Sequence, residues 1–213
     1  MTILEHNPPQ PLGSLLLLHG LGANGADLYP LASEIAGGRL RVVCPTAPTR
    51  AVTVNGGWQM PAWYDITGAD LAARQDAAGA TASAAMVEDW LAAEKARGFA
   101  SQRIFLAGFS QGAALSLYAG LRHAESLGGI IALSGYLLLA ETLPQAMAAA
   151  QRHTPIFQAH GIFDTVVLPA WARQCRDTLT TVGLPLSYHE YHMAHAIAPE
   201  ELQDLNQWLQ ELL

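Results

Sequence analysis

Residues 103–112, Arg-Ile-Phe-Leu-Ala-Gly-Phe-Ser-Gln-Gly, place a short apolar run directly before a Gly-x-Ser-x-Gly sequence. The run predicts a strand, and residues 111–123 have the apolar period of a helix. A serine on such a strand-to-helix turn adopts a strained backbone conformation, for which glycines on either side make room. Two interpretations stay open from this stretch alone: a turn that exposes Ser110 as a nucleophile, or a glycine-rich turn that contains a serine without chemical use.

The same alternation of short apolar runs and longer helical segments continues along the chain. It is typical of parallel strands joined by crossover helices, so the predicted fold class is α/β. Apolar runs predict strands at residues 14–18, 40–44, 103–107, 128–133, 154–159 and 186–191. Helical periods predict helices at residues 27–36, 76–97, 111–123, 170–182 and 199–213. Residues 45–71 have little regular period, and we expect a long functional loop there.

The composition excludes several classes of protein. The chain has 213 residues, of which 51% are hydrophobic and 14% charged, so we expect one folded domain over residues 1–213 rather than a disordered chain. Its 11 Lys and Arg against 18 Asp and Glu give a net charge of −7 without a cationic cluster, which argues against nucleic acid as a partner. The longest aliphatic run, residues 15–18, is too short to span a bilayer. We therefore expect no stable membrane insertion and a cytoplasmic location.

A serine nucleophile requires a base and a carboxylate that orients the base. In folds with this serine turn, the two groups follow the serine in the order Asp, then His. Asp164 comes soon after the predicted strand 154–159, and His195 follows the predicted strand 186–191. Because the carboxyl ends of parallel strands meet at one edge of a sheet, we expect Ser110, His195 and Asp164 to converge there. Their predicted roles are nucleophile, base and orienting acid.

A metal site is the alternative for the histidines near residue 190. His189, His192 and His195 recur at every third position. In an extended segment this spacing points the side chains to alternate faces, and no neighbouring Cys or Asp completes a tetrahedral set. We therefore expect no metal, with His189 and His192 at surface or strand-end positions.

A second glycine-flanked turn, His19-Gly20-Leu21-Gly22, follows the predicted strand 14–18. Acyl-transfer sites of this kind bind the developing oxyanion with one backbone N–H from such a loop and one from the residue after the nucleophile. The sequence thus predicts Leu21 and Gln111 as the oxyanion donors. The glycines also fit a plain tight turn, and both interpretations can hold together.

Four segments occur in a characteristic order: Leu18-His19-Gly20-Leu21-Gly22, Gly108-Phe109-Ser110-Gln111-Gly112, His160-Gly161-x-x-Asp164 and Met193-Ala194-His195. With them the chain resembles the carboxylesterase and acyl-protein thioesterase (phospholipase/carboxylesterase) family of α/β-hydrolases. The resemblance implies an α/β-hydrolase fold with a mostly parallel central sheet, helices on both faces and no large lid domain. It also implies a cofactor-free serine carboxylesterase that hydrolyses short- to medium-chain esters through an acyl-enzyme intermediate.

The resemblance further implies that the loop at residues 45–71 lines the acyl site, with Trp63, Trp58 and Met60 beside the substrate. Buried aromatic core is the alternative for Trp63. At the level of function, the same residues fit an acyl-protein thioesterase or lysophospholipase acting on long acyl chains. A hydrolase fold that only binds a ligand is a further alternative. In each case we expect a small-molecule or lipid-like ester as the partner, and the sequence does not choose between a monomer and a homodimer.

Overall fold

The computed structural model describes residues 2–68 and 75–213. Its strands are β1 Ile3–His6, β2 Ser14–Leu18, β3 Arg41–Pro45, β4 Thr49–Val52, β5 Trp58–Pro61, β6 Ile104–Phe109, β7 Gly129–Leu133, β8 Ile156–Gly161 and β9 Leu186–Tyr191. Its α-helices are α1 Gly25–Leu28, α2 Ala77–Ala96, α3 Gln111–Gly120, α4 Leu143–Ala146, α5 Pro169–Thr181 and α6 Pro199–Leu212. Short 3-10 turns connect several of these elements.

Seven of these strands form one sheet in the order β1-β3-β2-β6-β7-β8-β9. The pairing of β1 with β3 is antiparallel, and the other neighbours in this sheet are parallel. Strands β2, β3, β7 and β8 are buried at every position, as expected for strands that are covered on both faces. The carboxyl ends of β2, β6, β8 and β9 therefore lie along one edge of the sheet.

Helices cover both faces of the sheet. One apolar cluster joins the sheet to α2, α3 and α5 through side chains such as Leu91, Leu117 and Leu179. The other joins the opposite face to α6 and the segment after β2, through side chains such as Leu205 and Ile35. The predicted α/β class, with a mostly parallel sheet between two layers of helices, is confirmed. No large lid interrupts the described residues.

The predicted helix at residues 27–36 is wrong as a continuous element. The segment begins as the short helix α1, which Asn24 caps by accepting the N–H of Ala26, and continues as 3-10 turns over Tyr29–Ser33 and Ile35–Gly38. Pro30 has no N–H for a helical hydrogen bond, and Ala36 has a left-handed φ of +52°. The N–H of Ala36 instead donates to Asn206 on α6 (2.6 Å), so a tertiary contact overrides the helical period.

The prediction of an irregular loop at residues 45–71 is wrong for part of its length. Strands β4 and β5 pair antiparallel within it, and the chain reverses at Gly56 and Gly57, whose φ values are +67° and +81°. Residues 69–71 lie outside the described residues. The edge strand β1 was not predicted at all, because its four residues alternate between exposed and half-buried positions and have no apolar run. Short edge strands of this kind carry little sequence signal.

Within the described residues, none of the helices has both the length and the apolar character that crossing a bilayer requires.

Glu201, in the first turn of α6, is a carboxyl group without solvent exposure. Its Oε2 accepts the N–H of Ala198 (3.1 Å), whereas Oε1 has no hydrogen-bond partner among the described residues. Burial raises the pKa of Glu201 to about 7, against the opposing effect of the Ala198 N–H. The folded chain therefore holds this proton more tightly than the unfolded chain, whose glutamate titrates near 4.5. The stability that this proton provides is complete below pH 4.5 and is lost as the pH rises through about 7.

We expect Glu201→Gln to raise the free energy of unfolding at pH 8 by on the order of 3 kcal/mol, because the amide needs no proton to stay neutral. Most of that gain should vanish at pH 5, where Glu201 is itself protonated. Melting temperatures of both proteins at the two pH values measure this. Glu200→Gln, in the same turn but exposed, is the matched control and should change little. If the melting temperatures of Glu201→Gln and wild type differ by the same amount at pH 5 and at pH 8, the raised pKa of Glu201 is contradicted.

Candidate active site

Ser110 lies on the turn between β6 and α3 with φ +56° and ψ −117°, a strained conformation for a residue with a side chain. The two glycines of the Gly-x-Ser-x-Gly sequence allow this turn. A Cβ at Gly108 would lie 2.2 Å from the backbone of Gly112, and a Cβ at Gly112 would lie 2.1 Å from the carbonyl oxygen of Leu18. The N–H of Ser110 donates to the carbonyl oxygen of Leu133 (2.9 Å), which holds the turn against β7.

Hydrogen bonds connect Ser110, His195 and Asp164 in one chain. The Nε2 atom of His195 lies 2.9 Å from Ser110 Oγ, and its Nδ1 atom lies 2.7 Å from Asp164 Oδ2. The other oxygen, Asp164 Oδ1, accepts the backbone N–H groups of Val166 (2.8 Å) and Val167 (2.9 Å). The Asp164 side chain has no solvent exposure, whereas 17% of the His195 side chain is exposed. The three residues that the sequence predicted to converge are therefore in direct contact.

Gly161, at the carboxyl end of β8, allows His195 to reach Asp164. A Cβ at this position would lie 2.4 Å from the carbonyl oxygens of both Met193 and Ala194. The segment after β9 can therefore cross closely over the end of β8 only if residue 161 has no side chain. The Phe109 ring then lies against the imidazole of His195, with 4.7 Å between ring centroids. No local pattern of the sequence assigns Gly161 this role, since its contact partners are more than 30 residues away.

The two predicted oxyanion donors flank Ser110. Gln111 opens α3, where the first backbone N–H groups of a helix have no acceptor within the helix. Leu21 occupies a turn that is closed by the Ala23 N–H and the Gly20 carbonyl oxygen (3.2 Å), with Gly22 at φ +74°. A Cβ at Gly20 would lie 3.3 Å from Ser110 Cβ, so this turn adjoins the serine. Both backbone segments adjoin Ser110, and the role of their N–H groups stays a prediction.

A buried polar network supports the two donor segments. The Gln111 side chain accepts the Trp63 N–H (2.9 Å) and donates to the Tyr64 carbonyl oxygen (2.8 Å). The Trp63 indole N–H donates to the carbonyl oxygen of His19 (2.8 Å). The His19 ring has Nδ1 2.7 Å from the Gly20 carbonyl oxygen, and its Nε2 accepts the Ala47 N–H (2.9 Å). Burial lowers the pKa of His19, in agreement with the neutral ring that these bonds require.

The three predicted substrate-binding residues lie in different surroundings. Trp63 is fully buried, so of the two roles that the sequence left open for it, the structure shows the core role. Trp58, on β5, is 75% exposed. Met60, on the same strand, has its sulfur 3.5 Å from the position of a Cβ at Gly22, which is next to Leu21. Trp63 contacts the predicted oxyanion loop through its bond to His19, and substrate binding by Met60 and Trp58 stays a prediction.

The two neighbouring histidines, His189 and His192, contact different residues from those that His195 contacts. His189, on the edge strand β9, lies 2.8 Å from Ser187 Oγ through Nε2 and stacks on Phe157. His192 is exposed and meets the Phe163 ring edge-on. Among the described residues, no three His, Cys, Asp or Glu side chains are grouped so that they could hold a metal ion.

A cleft of about 230 Å³ opens between the segment after β7 and helix α5. Tyr136, Leu137, Ala140 and Trp171 contribute apolar surface to its lining, and Gln75 and Glu141 contribute polar groups. Most of its lining residues belong to the segment after β7 and to α5, which follows β8. Ser110, His195 and Asp164 themselves are not among its lining residues.

The fold, with a serine on a strained strand-to-helix turn, defines the class: the chain is a serine hydrolase of the α/β-hydrolase fold. The model of the Phospholipase/Carboxylesterase family matches residues 4–213, and the chain belongs to this family. The resemblance noted from the sequence segments is thereby confirmed.

The chain is similar over almost its whole length to acyl-protein thioesterases and to an esterase. Acyl-protein thioesterase 1 homolog 1 of Dictyostelium discoideum is 35% identical over 206 residues, which is 94% of this chain and 90% of the relative. The crystal structure of Zea mays acyl-protein thioesterase 2 matches with a TM-score of 0.91 at 29% identity, and covers 99% of this chain and 98% of that chain. The crystal structure of esterase PE8 matches with a TM-score of 0.82 at 29% identity, and covers 100% and 98% respectively.

We expect Gly20→Ala to lower kcat for a p-nitrophenyl ester about tenfold or more, since the added methyl group would press on Ser110 Cβ and small displacements of reacting groups are costly. The melting temperature should change little, because the contact of 3.3 Å needs a shift of only a few tenths of an ångström. Gly68→Ala is the control, as its added Cβ meets no heavy atom of the described residues within 4 Å. Wild-type kcat in Gly20→Ala would show that the turn does not constrain the serine.

Proposed function

We propose that this protein hydrolyses acyl thioesters and esters by acyl transfer to Ser110, with His195 as the base and Asp164 as its orienting acid. The observation that carries the proposal is the hydrogen-bonded chain from Ser110 Oγ through His195 to Asp164 Oδ2, with distances of 2.9 and 2.7 Å. Each group has the partner that its role requires, and the carboxylate is withdrawn from solvent.

In the first half of the reaction, Ser110 Oγ attacks the acyl carbonyl carbon while its proton passes to His195 Nε2. The negative charge on the carbonyl oxygen is stabilised by the N–H groups of Leu21 and Gln111. When the tetrahedral intermediate collapses, His195 gives the proton to the departing alcohol or thiol, and the acyl group stays on Ser110. Asp164 favours the Nδ1–H tautomer of His195 and stabilises the imidazolium ion in each proton transfer.

In the second half, water replaces the leaving group. His195 Nε2 accepts a proton from the water molecule while the water oxygen attacks the acyl carbonyl carbon. The N–H groups of Leu21 and Gln111 again hold the oxyanion. Collapse of the intermediate breaks the bond to Ser110 Oγ, which regains its proton from His195. The products are a carboxylic acid and free enzyme, so the cycle needs no cofactor.

For the acyl group, we propose a long chain, as in an acyl-protein thioesterase or a lysophospholipase. Relatives that carry the name acyl-protein thioesterase match nearly the full length of the chain and support this class.

A short- to medium-chain carboxylesterase is the second candidate. The similarity to esterase PE8, at 29% identity over 100% of this chain, supports this candidate. The cytoplasmic location stays a prediction from the sequence, which does not choose between a monomer and a homodimer.

We expect Ser110→Ala to reduce kcat for a p-nitrophenyl ester by on the order of 10⁴ or more and to abolish labelling by a fluorophosphonate probe. Circular dichroism should show a retained fold. Ser187→Ala is the matched control, because Ser187 also contacts a histidine but lies on the edge strand β9; it should keep both activity and label. A fluorophosphonate label or near-wild-type turnover in Ser110→Ala would reject Ser110 as the nucleophile. Absence of label in wild type would favour a silent binding module.

Acyl chain length separates the two candidate functions. We expect kcat/KM for acyl thioesters and p-nitrophenyl esters to rise from C4 to C16, since each buried methylene adds about 0.8 kcal/mol of transfer free energy. Parallel assays with wild type and Ser110→Ala correct for spontaneous hydrolysis. A maximum at C4 to C8 would instead establish the short-chain esterase.

A further inference from the structure

His160 is a buried histidine on β8 that the proposed reaction does not use. Its side chain is 1% exposed. The Nε2 atom lies 2.8 Å from the carbonyl oxygen of Val167 and 3.4 Å from Asp164 Oδ2. The latter oxygen is the one that contacts His195 Nδ1 (2.7 Å). Two imidazoles thus approach the same carboxylate oxygen, one from the solvent side and one from the interior.

The partners of His160 determine where its proton lies. A carbonyl oxygen and a carboxylate oxygen can only accept hydrogen bonds, so the Nε2 atom of His160 must carry the proton. The Nδ1 atom is buried and has no partner among the described residues, so a second proton there would be an unpaired donor in the interior. His160 is therefore a neutral imidazole with one fixed N–H group.

The charges around His160 support a neutral ring. Burial lowers the pKa of His160 as the largest effect. The Val167 carbonyl oxygen, Asp164 and Glu190 on β9 act in the opposite direction, and His195 acts with burial. A neutral ring donates the same hydrogen bond during each proton transfer at His195.

The N–H of His160 closes a turn that Asp164 begins. Asp164 Oδ1 holds the N–H groups of Val166 and Val167, and the carbonyl oxygen of Val167 is in turn held by His160. The carboxylate is thereby held through Oδ1 by a turn that His160 ties to β8. Rotation about its Cα–Cβ and Cβ–Cγ bonds would break at least one of these contacts, which leaves Oδ2 directed at His195.

We propose that His160 is a positioning residue of this hydrolase: its single N–H group, which is bonded to the carbonyl oxygen of Val167 and lies 3.4 Å from Asp164 Oδ2, holds the turn that keeps the carboxylate in the orientation that His195 requires. His160 touches neither the substrate nor Ser110, and it acts through Asp164. The inference rests on the proposed roles of Asp164 and His195. Its effect should therefore appear in the chemical step, with KM nearly unchanged, because the acyl group binds elsewhere.

The experiment compares three variants. His160→Leu removes the N–H group, whereas His160→Gln returns an amide N–H near the position of Nε2 and serves as the conservative rescue. His123→Leu is the matched control: His123 is also buried, with Nδ1 2.7 Å from Glu88 Oε2 and Nε2 unpartnered among the described residues. It follows the far end of α3 from Ser110, about 15 Å along the helix.

We expect His160→Leu to lower kcat roughly tenfold to a hundredfold, since it leaves the buried Val167 carbonyl oxygen without its donor and frees the turn that orients Asp164, with KM within about twofold. His160→Gln should recover most of the loss, and His123→Leu should keep kcat even if its melting temperature falls. As a direct readout, the low-field proton resonance of the His195–Asp164 hydrogen bond should disappear or shift upfield in His160→Leu and return in His160→Gln. That signal requires no substrate, so it tests the inference even if the proposed substrate class fails.

Wild-type kcat and an unchanged resonance in His160→Leu would overturn the proposal. An equal loss of kcat in His160→Leu and His123→Leu would overturn it too, because it would reduce the effect to general destabilisation. If His160→Leu does not fold, His160→Gln decides: retained kcat with the low-field resonance supports the proposal, and loss of both in a folded protein contradicts it. If wild type hydrolyses neither esters nor thioesters, the proposed reaction is rejected. The inference is then supported by a low-field His195–Asp164 resonance that is present in wild type and lost in His160→Leu.

Discussion

The turn between β6 and α3 exists only because no side chain occupies positions 108 and 112. A Cβ at Gly112 would lie 2.1 Å from the Leu18 carbonyl oxygen, closer than two non-bonded atoms can approach. This contact brings the first turn of α3 onto the end of β2, and so brings Ser110 next to the turn at Gly20. The left-handed φ of Ser110 follows from the same geometry, and the hydrogen bond from its N–H to Leu133 stabilises it. The strain at the serine is thus balanced by packing on both neighbouring strands.

Close backbone approach without a side chain recurs at the other end of the site. Gly161 lets the segment before His195 cross the end of β8, as Gly112 lets α3 approach β2. Around these contacts, each polar group has a specific partner: Asp164 holds two backbone N–H groups, and Gln111 bridges the backbone at residues 63 and 64. Burial makes such bonds costly to leave unmade, so the network keeps the reacting groups in one arrangement.

The predictability of the elements follows from their burial. Strand β2 begins and ends where the sequence predicted it, because an apolar run bounded by Gly and His marks a strand inside a sheet. The prediction of one helix over residues 27–36 was wrong. The apolar period of a helix is present there, but Pro30 and the hydrogen bond from the Ala36 N–H to Asn206 interrupt the helical backbone. The β4–β5 hairpin was not predicted, because two short, largely exposed strands that pair with each other leave no periodic pattern in the sequence.

By itself, the sequence determined the α/β class, the family and the three residues of the Ser110–His195–Asp164 chain. Each of these residues lies in a short motif that can be read locally, and strand ends in a parallel sheet converge at one edge. Only the tertiary structure decided that Trp63 is core rather than substrate surface, that Gly161 is required for a backbone crossing, and that His160 faces the carboxylate that His195 binds. These are contacts between segments far apart in the chain. Their distances depend on how the sheet twists and how the loops pack, and no local pattern of residues encodes that.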